Sequence, residues 1–206
     1  MNIPLFPLGS TLFPDGLLAL KIFEVRYLDM TKTCFKQQSP FGVVSLNEGP
    51  EVRVPGQDIT FSDIGTLAYI IDFDAVQPSL FMLRCRGGRR FKILERHVAP
   101  NGAWSAEIEW LDDDPNIEIP PELTPSSQAL ARLIASFEEQ QVNPTERPFY
   151  EPFRLNDCGW VANRWTELLN IPALQKQHLL AMENPRLRLD LVQEMLEEMG
   201  AFKPPR

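Results

Sequence analysis

With 206 residues, 44% of them hydrophobic, the chain is long enough for one large domain or two small ones with real cores. Its longest apolar runs, 17–20 and 68–71, fall far short of a membrane span, which excludes a transmembrane helix. The net charge of −8 is uneven: residues 1–110 carry 11 Lys and Arg against 12 Asp and Glu, and residues 111–206 carry 9 against 16, an acidity that repels nucleic acid and anionic lipid in the second half.

The opening residues have no basic flank or small-residue cleavage site, so no signal peptide is expected. Cys34, Cys85 and Cys158 are widely spaced and odd in number, which suits reduced thiols and a cytoplasmic protein.

In chain order, short apolar or alternating runs punctuated by Gly and Pro predict strands at 2–7, 17–22, 41–46, 64–73, 80–86, 89–96 and 103–111. Gly87-Gly88 is read as a two-residue hairpin turn between two of them, and Asn101-Gly102 as a second turn. One helix interrupts the strands over 23–37, with Phe23, Tyr27, Met30 and Cys34 as its apolar stripe and Pro40 beyond its end. The segment 112–124, with Asp112-Asp113-Asp114-Pro115 and Pro120-Pro121, reads as a stiff, solvated linker. Helical patterns follow. Thr124 is placed as an N-cap before Pro125, with Leu130, Leu133, Ile134 and Phe137 on one face. Asp157 caps a helix carrying Val161, Trp165, Leu168 and Leu169, and Ile171-Pro172 opens a short helix with Leu174, Leu179 and Met182. Asn184-Pro185 opens the last, with Leu187, Leu191, Met195 and Met199 along one side and Gly200 as its stop. The expected organisation is a β-rich module over 1–111, the linker, and a helical bundle over 125–206.

Little in the chain points to catalysis. No glycine is followed by lysine, so no phosphate-binding loop of the Gly-Lys-Ser/Thr type is present. His97 and His178 lie far apart on different predicted modules, which leaves no metal-ligand cluster, and both read as surface or packing residues. The run Asp112-Asp113-Asp114 lacks the alternating spacing and glycine of a calcium loop. No GxSxG is present, and no local signature surrounds any cysteine. The expectation is no catalytic residue, no metal and no cofactor.

Two features remain as binding candidates. Arg84, Arg86, Arg89, Arg90 and Lys92 cluster around Gly87-Gly88, with Arg84 and Arg86 on the face opposite Leu83 and Cys85. They read either as an anion or RNA contact or as exposed strand charge paired with carboxylates, and the acidic surroundings favour pairing. Leu12, Phe13 and Pro14 belong to a Pro-interleaved apolar segment; strand packing explains most of it, and an exposed remainder would form a groove for extended polypeptide.

The motifs Pro4-Leu5-Phe6-Pro7-Leu8, Leu12-Phe13-Pro14 and Ile22-Phe23-Glu24-Val25-Arg26-Tyr27 resemble the opening signature of the Lon protease N-terminal, or LON substrate-binding, domain. Phe41-Gly42-Val43-Val44, Ile64-Gly65-Thr66 and Gly88-Arg89-Arg90-Phe91 follow in the family's order, and Leu168-Leu169, Lys176-Gln177, Leu179-Leu180 and Arg186-Leu187 are similar to its later segments. The resemblance implies an α+β fold: a PUA-like, twisted, partly closed, mostly antiparallel β-module with one inserted helix, packed against a C-terminal helical bundle. It implies structural roles for Glu24, Arg26, Tyr27 and Phe91, with Glu24 at a helix start and Arg26 pairing with an acid. It also implies a free-standing form without the ATPase and Ser-Lys peptidase modules, and hence a non-enzymatic module that binds unfolded polypeptide or a specific protein partner. RNA binding through the PUA-like relationship and the 84–92 cluster is the second reading. An enzyme using a cleft between modules, with Cys158 or Glu24 as reactive groups, is the third.

Overall fold

The structure is a computed structural model of the chain and describes residues 1–52, 54, 56–143 and 146–202. Among the described residues the elements run β1 (Asn2–Leu8), β2 (Leu17–Ile22), α1 (Val25–Gln37), β3 (Phe41–Glu48), β4 (Thr60–Gln77), β5 (Leu80–Val98), β6 (Trp104–Trp110), a 3-10 turn (Pro121–Leu123), α2 (Thr124–Glu139), α3 (Cys158–Leu168), α4 (Ala173–Ala181) and α5 (Pro185–Glu198). The fold is mixed α+β with a mostly antiparallel six-stranded sheet, and the chain divides into two compact units.

The first unit comprises Met1–Asp113 together with Ile171–Ala181. Strand order is β2-β5-β4-β3-β1-β6, and β6 also pairs back to β5, so five of the strands form a closed ring from which β2 projects as an edge. Among the described strands only β1 and β3 run parallel. The spine is β5, which pairs with β2 through 81–86, with β6 through 91–98, and with β4 along most of its length.

That spine corrects the predicted hairpin at Gly87-Gly88, since both glycines sit inside one continuous strand. Backbone proximity is the reason. Phe13-Pro14-Asp15-Gly16 makes a tight turn, with Gly16 N–H donating to Phe13 C=O at 2.9 Å and Asp15 at φ 59°. This turn lies against β5, and a β-carbon at Gly87 would overlap the Phe13 carbonyl oxygen. A hairpin turn and a close backbone approach both select glycine, so composition does not separate them. The turn at Asn101-Gly102 does form, with Gly102 at φ 81° and its N–H on Ala99 C=O.

Helix α1 starts at Val25, two residues later than its apolar pattern suggests. Tyr27, Leu28, Thr31 and Cys34 form its buried face, while Phe23 precedes the helix and stands half exposed. Helix α4 packs on β3 and β4; Gln177 Nε2 donates to Ser45 C=O at 3.3 Å, and Arg90 Nη1 to Leu180 C=O at 2.8 Å. The helical stretch 171–181 thus groups with the strands rather than with the helices around it in sequence.

The second unit comprises residues 114–170 together with those from Met182 onward, of which 203–206 lie outside the described residues. Its core joins Leu123, Leu130, Ile134, Phe149, Trp160, Val161 and Leu189 from α2, α3, α5 and the segments between them. Asp157 caps α3 by accepting from Trp160 N–H, and Asn184 caps α5 by accepting from Arg186 and Leu187 N–H, as their positions before each helix predict.

Three expectations change here. Most of the stretch read as a solvated linker, from Asp114 on, belongs to this unit: Ile117 C=O accepts from Cys158 N–H at 2.9 Å, Glu118 bridges to Asp157, and Leu123 is buried. Thr124 is not a cap, because the 3-10 turn before it moves the cap position to Leu123. The buried face of α5 is Pro185, Arg188, Leu189, Val192 and Leu196, whereas Leu187 and Met199 are exposed. An arginine occupies an inward position because its charge is met there: Arg188 places Nη1 and Nη2 on the two Asp114 carboxylate oxygens at 2.5 and 3.0 Å, Nη1 on Asn163 Oδ1 at 2.9 Å, and Nη2 on Met182 C=O.

Candidate functional site

The residues singled out for binding do not form one surface. Leu12 is 4% exposed and Phe13 fully buried, so neither meets a partner from the folded state; Pro14 is half buried as the second residue of the turn that lies on β5. The apolar groove expected at Leu12-Phe13-Pro14 is therefore not there: Leu12 joins the core cluster with Leu20, Ile22, Leu83 and Cys85, and Phe13 is buried in the turn that bonds to Gly87.

The basic cluster is distributed among carboxylates and carbonyls. Arg86 pairs with Asp15 at 2.6 Å, Arg89 with Asp113 at 3.2 Å, and Lys92 with Glu109 at 3.6 Å; Arg89 also lies 5.2 Å from the centroid of the Trp110 ring. Arg84 sits opposite Asp72 in the β4–β5 register. Arg90 is buried, and beyond its Leu180 contact it donates to Asp112 C=O at 3.1 Å. These arrangements favour the structural reading of the cluster over an anion site.

The signature residues have concrete positions. Glu24 stands at the N-cap position of α1, but its carboxylate makes no cap bond and goes instead to Arg26 at 3.0 Å. Arg26 is buried; it donates to Gly102 C=O at 2.7 Å and lies over the Tyr27 ring at 4.5 Å. Tyr27 in turn stacks on Phe6 with centroids 4.1 Å apart, and burial pushes its hydroxyl up to about 12, with Arg26 acting in the opposite direction. Phe91 is fully buried across Gly42 and Gly65, where an added β-carbon would lie 2.6 Å from its Cζ in either case. Three of the family-like motifs meet at this one packing contact.

The stacked Phe6 and Tyr27 border an open cavity of about 320 Å³ in the first unit. Leu8 and Leu18 add apolar walls, and two exposed apolar side chains stand at it: Phe23, 50% exposed, and Val52, 47% exposed. Five consecutive β2 residues, Leu18 to Ile22, all line it. Successive side chains of a strand point to opposite faces, so an unbroken run along one cavity means that the cavity follows the strand's edge rather than one face. Glu51, also at the groove, accepts from Gly9 N–H at 2.5 Å. The sequence shows β2 but not this groove, because its walls come from three separated segments, and the helical spacing counts Phe23 into the apolar stripe of a helix that it in fact precedes.

The thiols are not presented for reaction. All three cysteines are free and buried, and burial raises each above its ordinary value of 9.0, Cys85 to about 12. Cys158 Sγ rests on Glu118 C=O at 3.6 Å. Among the described residues, no group of three His, Cys, Asp or Glu side chains is placed to hold a metal, and no helix is long and apolar enough to cross a membrane.

Comparison with known proteins agrees with the motif order. A family model of the ATP-dependent protease La (LON) substrate-binding domain matches residues 2–198. A curated Lon protease of Anaeromyxobacter dehalogenans is 26% identical over 201 residues, covering 94% of this chain but only 23% of that protein. Among solved structures, the Lon N-terminal domain protein from Xanthomonas campestris superposes with a TM-score of 0.73 at 30% identity, over 94% of this chain and 98% of that one. The N-terminal domain of the Mycobacterium avium complex Lon protease shares the fold, with a TM-score of 0.59 at 15% identity over 96% and 99% of the two chains. With the family model spanning nearly all of its length, the chain belongs to the LON substrate-binding domain family.

Proposed function

We propose that this chain is a non-catalytic module, acting in the cytoplasm, that binds exposed apolar segments of other polypeptides in the groove beside β2. Membership of a substrate-binding family supports a recognition role. The observation that carries the site is the pair of exposed side chains, Phe23 and Val52, standing at an apolar cavity bordered by the stacked Phe6 and Tyr27. Large apolar groups held in water beside a formed cavity lower the free energy of the chain when a partner covers them. The floor is fixed in advance by the Tyr27–Arg26–Glu24 chain of contacts, so little ordering cost falls on this side of the complex. We read the closed ring of strands as PUA-like and α2, α3 and α5 as a small helical bundle.

The test is fluorescence anisotropy of a labelled, reduced and carbamidomethylated polypeptide titrated with this protein, with a labelled single-stranded RNA in parallel. The polypeptide binds saturably and survives moderate salt, and the RNA does not bind. Replacing both Phe23 and Val52 by Ser weakens polypeptide binding by about tenfold or more, the loss expected when two apolar contacts of about 1 kcal/mol each are removed, with circular dichroism unchanged. Full affinity in that variant would remove the groove from consideration.

A further inference from the structure

Resting on the reading that the groove binds polypeptide, we infer that the bound segment is taken as an added β-strand, hydrogen-bonded to the free edge of β2 through the backbone of Leu17, Ala19 and Lys21. In an antiparallel pair the residues alternate, one set bonded to the neighbouring strand and the other pointing its N–H and C=O away. The phase of β2 is fixed by its first contact with β5, where Gly87 N–H donates to Gly16 C=O at 2.8 Å. The register then runs without a shift from Leu17 opposite Arg86 to Ile22 opposite Phe81. Leu18, Leu20 and Ile22 therefore bond to β5, and Leu17, Ala19 and Lys21 turn their amides and carbonyls outward.

Among the described residues, β2 has no second neighbour: it ends the strand order, and no backbone bond reaches its outer side. That outer side borders the cavity that Leu18 to Ile22 line together. Unpaired edges are templates for another chain, and proteins usually cover or charge them. Here the charge is a single exposed lysine, Lys21, and the groove also holds Glu51, while Glu24 is taken up by Arg26. The balanced charge and the apolar walls define the occupant: an extended, uncharged segment of another protein, with free backbone amides and apolar side chains on the side facing Phe6 and Phe23. Such a segment is exposed in unfolded protein and hidden in folded protein, so strand addition selects for the unfolded state without reading a particular sequence.

Hydrogen exchange of the intact chain tests this, with and without the carbamidomethylated polypeptide at saturation. The Ala19 and Lys21 amides exchange fast in the free chain and slow by about tenfold or more on binding, while those of Leu18 and Leu20 are protected throughout. Ala19→Pro removes an outward N–H that β5 does not use, a position where an edge strand tolerates proline, and it lowers affinity by about tenfold. Ala19→Val keeps the N–H and binds more tightly than Ala19→Pro, which separates the lost hydrogen bond from the altered side chain. Polypeptide that binds, is lost with Phe23→Ser, and leaves the Ala19 and Lys21 amides unchanged would overturn strand addition and leave the groove standing. No binding to the native chain would sink both. Protection of those amides in the chain alone, rising with its concentration, would put a second copy on the edge and likewise overturn the proposal.

Discussion

In the first unit the tip of the Phe91 ring packs against Gly42 and Gly65, and the turn at Phe13 presses on Gly87, so close approaches occur where side chains are missing. In the second, Arg188 reaches into the core and is held by Asp114, Asn163 and Met182. One unit is fitted by shape around an incomplete sheet edge; the other is closed by a charge network among helices. The difference bears on function, because a backbone edge is a general docking site, whereas an ion pair closed inside a core presents no surface to a partner.

The largest effect is expected where a buried charge loses its counterpart. Arg188, 1% exposed, when changed to Ala leaves Asp114 and Asn163 facing an emptied site and costs about 3–5 kcal/mol in urea denaturation. Combining Arg188→Leu with Asp114→Leu recovers most of that loss, since an apolar pair needs no counterion. A double variant as unstable as the single one would show that packing, not charge, holds the unit. Next comes the shape-fitted region. A β-carbon at Gly65 would lie 2.5 Å from the Val43 carbonyl oxygen and 2.6 Å from Phe91, so Gly65→Ala destabilises by about 1–3 kcal/mol. Adding Phe91→Leu relieves only the aromatic part of the clash. An unchanged midpoint for Gly65→Ala would mean that the ring of strands yields more than this contact suggests.

The two units were also unequally legible in the sequence. Where a rule is local, residues announced their roles: Asp157 and Asn184 cap the helices that follow them, and β2 spans the apolar run that predicts it. Where the cause lies far along the chain, local pattern misled. The stripe Leu187, Leu191, Met195 and Met199 is the more apolar face of α5, yet the helix turns Arg188 inward because Asp114, 74 residues earlier, neutralises it. Leu12 and Phe13 look like an exposed remainder, yet both are buried beside the turn at Asp15 that bonds to Gly87. The groove itself follows from which strand ends the sheet, and edge status is a property of the pairing order rather than of the six residues of β2.

A smaller effect separates the two kinds of helix start. Asp157 accepts from Trp160 N–H at 3.0 Å, and Asp157→Ala costs about 1 kcal/mol in thermal or urea unfolding, the usual loss for a cap. At α1 the residue in the same position, Glu24, directs its carboxylate to Arg26 instead. Glu24→Gln therefore keeps the helix and weakens the hold on Arg26, which shows first as a loosened Phe6–Tyr27 floor in near-ultraviolet circular dichroism. If Glu24→Gln shortened α1 instead, Glu24 would be acting as a cap after all.

The smallest change is expected at the exposed arginines of β5. Arg86 and Arg89 pair with Asp15 and Asp113, and both side chains of the second pair are about half exposed or more. Solvent screens such pairs, and each is worth about 0–1 kcal/mol. Arg86→Ser with Arg89→Ser should leave the unfolding midpoint nearly unchanged and polypeptide binding within about twofold, since neither residue lines the groove. The measurement is sharper than its size suggests, because it asks whether the open face of the first unit works through backbone and apolar contacts or through its positive charge. Polypeptide affinity that collapsed in this variant, and fell steeply with salt in the native chain, would move the binding surface from the β2 edge to the face carrying Arg86 and Arg89. Insensitivity on both counts leaves recognition with the groove, and leaves these arginines the task of keeping β5 charged and soluble on its outer side.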